Sequence, residues 1–549
     1  MSARERANNL LIIALFSLCA AVLYFVCPFH LVFKEQIVLF EFGSSYICEL
    51  LGRPAFIAVL IGDFLSQFFI YRWAAVSITL AVSVLCWDGI RRSLRFCGIS
   101  ESSAIATLPV AAELVLCTNF EHPLSMTIAA TIAAWAAFGC LKIGNRTIRT
   151  VIVSITALCA YPLLGAHCLI LLALIALKRT NKIFSVAIAL ICGVAIILGE
   201  GALYLLDPRQ SLVYPLMTDY HTQLTWLALT PEFCILIGSI LYALRIRGWI
   251  AVCLAILGSG LAYFNTINTK EERELKLSTL AYFGKWDKVL SAENGNPDKS
   301  LVVAYYRNLA LAKKSTLGEN LLDSYQALFN SLFIAVAPEA GYIRYLDSVE
   351  ALLACGDYSQ AQHHAMVAMT FSPRQRSSRA ARRLAEIALS DGDLLVAGKY
   401  LTMLSKTLIH RAWALDALSL IHEGSISSEN NNREILIRTN DFEPALRNII
   451  ESGDIHAGTA TEYLLCLDLL KKNLAAFKED YDSYYLPNHA GEVPPRVYQE
   501  ALLIFIPGPA YMISEEVRQA KWDFQSGNQQ KHPSSYWYYY LYAQPAEQQ

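Results

Sequence analysis

Long apolar runs, interrupted at intervals by short basic clusters, dominate this chain from residue 10 to residue 266. In lipid each backbone N–H and C=O must be satisfied within the protein, so a run of about 20 apolar residues folds as a helix that crosses the hydrocarbon core. With 55% hydrophobic and 17% charged residues and a mean hydropathy of +0.36, the chain is too apolar for a soluble protein. The apolarity is uneven, because residues 270–549 have ordinary polarity. The expected organisation is therefore a multi-pass transmembrane domain over 1–266 and a soluble domain over 270–549.

The runs are 10–27, 74–87 with its flanks, 103–117, 124–141, 150–177, 183–198, 224–244 and 249–264. The first has the apolar core of a signal peptide but no small-residue cleavage site, since Cys27-Pro28-Phe29-His30 follows it; it is read as a retained helix. Basic residues then set the orientation. Arg4 and Arg6; Arg91, Arg92 and Arg95; Lys142, Arg146 and Arg149; Lys178, Arg179 and Lys182; and Arg245 and Arg247 alternate with connections nearly free of basic residues. The alternation closes only if 150–177 crosses twice, turning at Tyr161, Pro162 and Gly165. This predicts nine crossings, a cytoplasmic amino terminus, and an outer face that carries both the first loop (28–72) and residues 270–549. The expected location is the bacterial inner membrane, with membrane lipid as one partner.

The first loop is unusual for its length and content. Residues 34–73 carry Glu35, Glu41, Glu49 and Asp63, and both 36–51 and 54–70 repeat apolar residues at helical spacing. The soluble part reads as helical hairpins. Gly356, Tyr358, Ala361, Ala365, Ala368 and Pro373 fall on the small, aromatic and proline positions of a tetratricopeptide repeat, which this stretch resembles. Weaker units surround Gly284 with Trp286, Gly392-Asp393 with Ala397, and Asn440-Asp441-Phe442 with Ala445. The fold class expected is all-α: a polytopic helical membrane domain followed by a tetratricopeptide-like repeat domain. Such an array commonly offers a concave surface for a partner, here an envelope protein.

The layout of residues 30–200 resembles the GT-C glycosyltransferases. The features that carry the likeness are the long acidic first loop, the proline-led helix RPAFIAVLIGDFLSQFFIYRWAAVSITLAV, the turn TNFEHPLSMTIAA, and the paired short helices of VIVSITALCAYPLLGAHCLILLALIALKR. The resemblance implies transfer of a sugar from a polyprenyl-phosphate-linked donor at the outer face. A base must then take the acceptor's proton, and a cation must hold the phosphate. Glu41, Glu121 and Glu35 are the candidate catalytic acids. His122, Arg53 and Arg209 are the candidate substrate-binding residues, and Asp219-Tyr220-His221 forms a weaker cluster. The first loop has no paired aspartates, so no metal ligand is assigned and a divalent metal stays open as cofactor. A non-catalytic membrane-anchored scaffold is the alternative. The whole chain also resembles an uncharacterised bacterial family of multi-pass proteins, through LGRPAFIAVLIGDFLSQFF, TNFEHPL, PPRVYQEALL and the YWYYY tail.

Other chemistries find less. There is no P-loop, GxGxxG, HExxH or GxSxG motif, and the 14 cysteines show no CxxC or Cys/His metal spacing. Cys355 and Cys466 are the only cysteines after residue 270, and spacing does not say whether they pair. A net charge of −2 argues against a nucleic-acid partner. A transporter needs polar residues within several spans and paired broken helices; the runs look nearly uncharged, with one broken segment.

Overall fold

The computed structural model describes residues 3–179, 181–216, 227–266, 268–293, 299–336, 341–424, 442–505 and 511–543. Asp219, Tyr220, His221, Asn440 and Asp441 lie outside the described residues. Every regular element among the described residues is helical. Two compact units divide the chain. The first is Met1–Arg273 with Ser372–Ser378 and Thr402–Asp416; the second is Glu274–Phe371, Arg379–Leu401 and Ala417–Gln549.

The first unit contains five helices long and apolar enough to cross a membrane: Asn8–Phe25, Arg72–Phe96, Leu124–Lys142, Arg146–Ala176 and Lys182–Leu203. Ser102–Leu116, Leu227–Ala243 and Gly248–Ala262 are apolar but shorter. Large apolar side chains such as Ile13, Leu85, Ile191 and Leu257 are exposed, which suits helices able to lie against lipid. Leu124–Lys142 is the central helix of this unit. Ala129, Ala130, Ala133, Ala134 and Ala137 are all buried, and small side chains allow neighbouring helices to pack closely where lipid supplies no hydrophobic drive. Arg72–Phe96 lies against it, with Thr131 donating to the Val82 carbonyl at 3.2 Å and Trp135 to the Leu85 carbonyl at 3.0 Å. Phe56–Ser66 approaches closer still, since a Cβ on Gly62 would sit 2.7 Å from the Ser125 Cα.

Within the 150–177 run, the helix Arg146–Leu164 ends two residues after Pro162, a 3₁₀ turn spans Gly165–His167, and Cys168–Ala176 follows. Gly165 has φ +68°, and a Cβ there would lie 2.4 Å from the Tyr214 carbonyl oxygen, so only glycine fits the break. The first loop departs from its sequence reading. The helical spacing over 36–51 becomes a helix Pro28–Gln36, a non-helical stretch, and a helix Ser44–Leu51. Gly43 is fully extended at φ −178°, and the Phe42 N–H donates to the Lys406 carbonyl at 2.8 Å. That bond takes the backbone out of the helix.

In the second unit, Gly341–Cys355 packs against Tyr358–Phe371, and Phe442–Glu451 against Ala457–Leu470. Ala361, Ala365 and Ala368 are wholly buried, and Gly356 turns the chain at φ +84°. Tyr305, Tyr306, Tyr463, Phe477 and Tyr498 form the heart of its core. Cys355 and Cys466 are buried free thiols. The aromatic tail closes a helix end: Tyr536 and Tyr539 donate to the Leu469 and Leu470 carbonyls at 3.0 Å each, the last turn of Ala457–Leu470.

Gly62→Val should force Phe56–Ser66 off Leu124–Lys142 and cost roughly 1–3 kcal/mol or more by over-packing a backbone contact. The check is thermal unfolding of the detergent-solubilised chain, where an unchanged midpoint would contradict the close approach.

Candidate functional site

The acids of the first loop are engaged by arginines of the 372–378 segment. Asp63, on Phe56–Ser66, is 3% exposed; it accepts from Arg374 at 2.5 Å and from the Tyr46 hydroxyl at 2.8 Å. Arg376 donates to Glu41 through one nitrogen and to Glu49 through another, and stacks over the Tyr46 ring. Ser377 and Ser378 donate to the Gln36 and Glu35 carbonyls at 2.7 and 2.8 Å. Arg374 and Gln375 both have left-handed backbones, at φ 55° and 58°, a costly conformation outside glycine. The buried ion pair supplies the fixed partner that holds them there.

A second polar group lies inside the helical bundle. Glu113 sits on Thr107–Leu116, Cys117 caps that helix, and His122 lies in the turn that follows. Thr127 comes from Leu124–Lys142, His167 from the Gly165–His167 turn, Glu232 from Thr230–Ala243 and Lys34 from Pro28–Gln36. None of these is more than 4% exposed. His122 Nε2 lies 2.8 Å from Glu113 Oε1, to which Thr127 donates at 2.7 Å. His167 Nδ1 is 2.5 Å from Glu232 Oε1, and Lys34 donates to the Cys117 carbonyl at 3.1 Å. Four polar atoms of this group stay buried without a hydrogen-bond partner: Glu113 Oε2, His122 Nδ1, His167 Nε2 and Glu232 Oε2. Buried polar atoms in native proteins are nearly all paired, so a concentration of unpaired ones marks a place built for something else.

The residues named from sequence are distributed as follows. Glu41 is held by Arg376, and Glu35 is buried with its carboxylate 3.4 Å from His410 Nε2. Arg53 pairs with Glu49 at 3.2 Å, and Arg209 is exposed, its backbone N–H donating to the capping Asp207. The half-buried Glu121 has its backbone N–H on Asn119 at 2.7 Å. His122 alone joins the buried cluster. Glu113, Cys117, His167 and Glu232 escaped the sequence reading because single polar residues in apolar runs carry little weight. The available signal was Glu113 and Cys117 at i, i+4, which places them on one helix face, with a histidine in the next turn.

His30 gives the first unit a third polar contact. Its Nδ1 lies 2.5 Å from Glu272 and its Nε2 3.3 Å from Glu271, while the Phe29 and His30 N–H groups donate to the Glu272 carboxylate at 2.8 and 3.0 Å. Burial disfavours the imidazolium, but the hydrogen bonds and charges of Glu271 and Glu272 outweigh it and raise His30 above the ordinary histidine value.

The second unit holds a cleft of about 790 Å³ lined by Pro494, Pro495, Arg496, Gln499, Glu500 and His532. Burial lifts the Glu500 carboxyl to about 7, against the stabilising Tyr536 N–H. The PPRVYQE stretch forms much of this wall.

These features define an all-helical protein with several helices able to span a membrane and an ionisable cluster buried among them. The chain belongs to the Family of unknown function (DUF6057), whose profile matches residues 3–543. No curated protein and no solved structure matches it.

Removing one partner of the Asp63–Arg374 pair strands the other charge away from water. Asp63→Asn is expected to cost roughly 3–5 kcal/mol, with Asp63→Leu/Arg374→Met recovering most of it; thermal midpoints of the three proteins in detergent are the check. For His30 the folded value lies above the unfolded one of about 6.5. Its stabilisation is therefore complete below that pH and lost as pH rises through the folded value. Unfolding midpoints measured from pH 6 to 9 should fall less steeply in His30→Gln than in the parent.

Proposed function

We propose that the protein is a membrane-anchored scaffold of the bacterial envelope, in which the polytopic unit displays a tetratricopeptide-like helical array at the outer face to bind another envelope protein. The observation that carries this reading is the state of the first-loop acids. A general base must reach the proton it removes. Glu41 is instead occupied by Arg376, Glu49 by the same guanidinium and Arg53, and Asp63 by Arg374 and Tyr46. The loop works as a clasp on residues 372–378. The cleft beside Pro494 and Arg496 has the size and mixed polarity to seat a peptide segment of the partner.

The same clasp supports the nine-crossing topology. Asp63 and Arg374 bonded together share one side of the membrane, so the chain between them crosses an even number of times. Counting Arg146–Ala176 as two crossings, with Arg72–Phe96, Ser102–Leu116, Leu124–Lys142, Lys182–Leu203, Leu227–Ala243 and Gly248–Ala262, gives eight; counting it once gives seven. The basic clusters then favour the outer side for both residues.

A second reading, a GT-C-like glycosyltransferase using a lipid-phosphate-linked sugar, draws on one observation. Glu113, His122, His167 and Glu232 gather at the span ends that the charge alternation assigns to the outer face, beside Glu121.

Two measurements test the scaffold reading and its topology. A photo-crosslinking residue at the exposed Val493, on the rim of the cleft, should capture one discrete envelope protein in living cells, and a reporter at Ser291 should behave as external. The scaffold reading fails if membranes carrying the chain transfer sugar from a polyprenyl-phosphate donor and Glu41→Gln or Glu121→Gln abolishes the transfer.

A further inference from the structure

We propose that the buried cluster is a binding site for a divalent transition metal of the zinc class, with Glu113, Cys117, His122 and His167 as ligands. One ligand atom each of Glu113, Cys117 and His122 lies within 4.8 Å of the other two. A tetrahedral zinc site, with bonds of about 2.0–2.3 Å, holds its ligand atoms roughly 3.3–3.8 Å apart. The three residues need close by only about an ångström.

The fourth position is set by an unpaired contact. His167 Nε2 and Glu113 Oε2 face each other at 3.8 Å, and each is buried without a hydrogen-bond partner. That separation is too long for a hydrogen bond, and a water bonded to both at about 2.8 Å would hold them roughly 4.5 Å apart. Two metal–ligand bonds of about 2.0–2.2 Å each span it. His167 is also oriented for the task. Glu232 takes its Nδ1 at 2.5 Å, leaving the Nε2 lone pair to face Glu113. A carboxylate behind a metal-binding histidine is the usual way in which the ring is fixed and its tautomer chosen. Glu232 is thus a positioning residue, as is Thr127, which lies 3.3 Å from the Cys117 sulfur and donates to Glu113.

Donor chemistry and charge agree. One thiolate, two imidazoles and one carboxylate suit zinc or its neighbours and are too poor in oxygen for magnesium or calcium. Glu113 and Glu232 bring two negative charges and Lys34 one positive. A divalent cation with a Cys117 thiolate adds one net positive, and the pocket becomes neutral, as a site out of reach of water requires. On binding, the S–H bond of Cys117 breaks, the sulfur keeps the electron pair and bonds the metal, and the proton leaves to solvent.

The test uses the full chain purified in detergent without chelator, its metal content measured by mass spectrometry, then stripped and titrated with Zn²⁺ or Co²⁺. Expected are about one zinc ion per chain, a thiolate-to-cobalt charge-transfer band with Co²⁺, and a lower thermal midpoint after stripping. Cys117→Ser should abolish the band, while Cys192→Ser, at an exposed position, leaves it intact. Glu232→Gln should weaken Co²⁺ binding roughly 10–100-fold. If the parent chain takes up neither metal, or if its cobalt spectrum lacks the thiolate band, the proposal is overturned without reference to any variant. Unchanged stoichiometry in both Cys117→Ser and His167→Gln overturns it equally.

Discussion

A polar group placed among apolar helices has to be satisfied there, because neither lipid nor a packed bundle offers water. That constraint shapes the first unit. The Ala-rich helix Leu124–Lys142 brings its neighbours close enough for Thr131 and Trp135 to bond the backbone of Arg72–Phe96. It also carries Thr127 into contact with Glu113, and the turn before it carries His122. Close packing and polar pairing are consequences of one another: small residues admit the partner helix, and the partner helix supplies the acceptors.

The same rule governs the first loop by another route. Asp63 is almost wholly buried, and its two oxygens are divided between Arg374 and Tyr46. Arg374 and Gln375 hold left-handed backbones for this purpose. Strain of that kind, of order 1–3 kcal/mol per residue, persists only where surrounding contacts over-determine it. Two serines, two arginines and the loop backbone do so here. The Glu113 cluster differs in kind. Four of its buried atoms find no partner, where the clasp leaves its principal oxygens bonded. One network is complete in the protein alone, and the other calls for a further occupant.

Much of the architecture is local and was legible. Five of the eight apolar runs became helices long and apolar enough to span a bilayer, and the runs over 103–117, 224–244 and 249–264 gave shorter apolar helices. The small residues Ala361, Ala365 and Ala368 read as a close helix contact and are buried. The break near Pro162 and Gly165 was marked by residues whose backbone restrictions act locally. The candidate site was much less legible. His122 was singled out for its place in a tight turn, but its partner is Glu113, which Thr127 and His167 also approach.

The sequence by itself determined which segments are apolar and, outside the first loop, where most helices run, because each follows from properties of neighbouring residues; over 36–51 a bond to the distant Lys406 carbonyl broke the expected helix. It left open what each acid faces. Glu41 looks like a free outer-loop carboxylate until Arg376, 335 residues away, is set against it. Glu113, Cys117, His167 and Glu232 look like isolated polar residues in apolar runs until helix packing gathers them. Only tertiary structure decides such pairings, since the energy of a buried charge depends on partners that helix crossings, and not chain proximity, bring within a few ångströms.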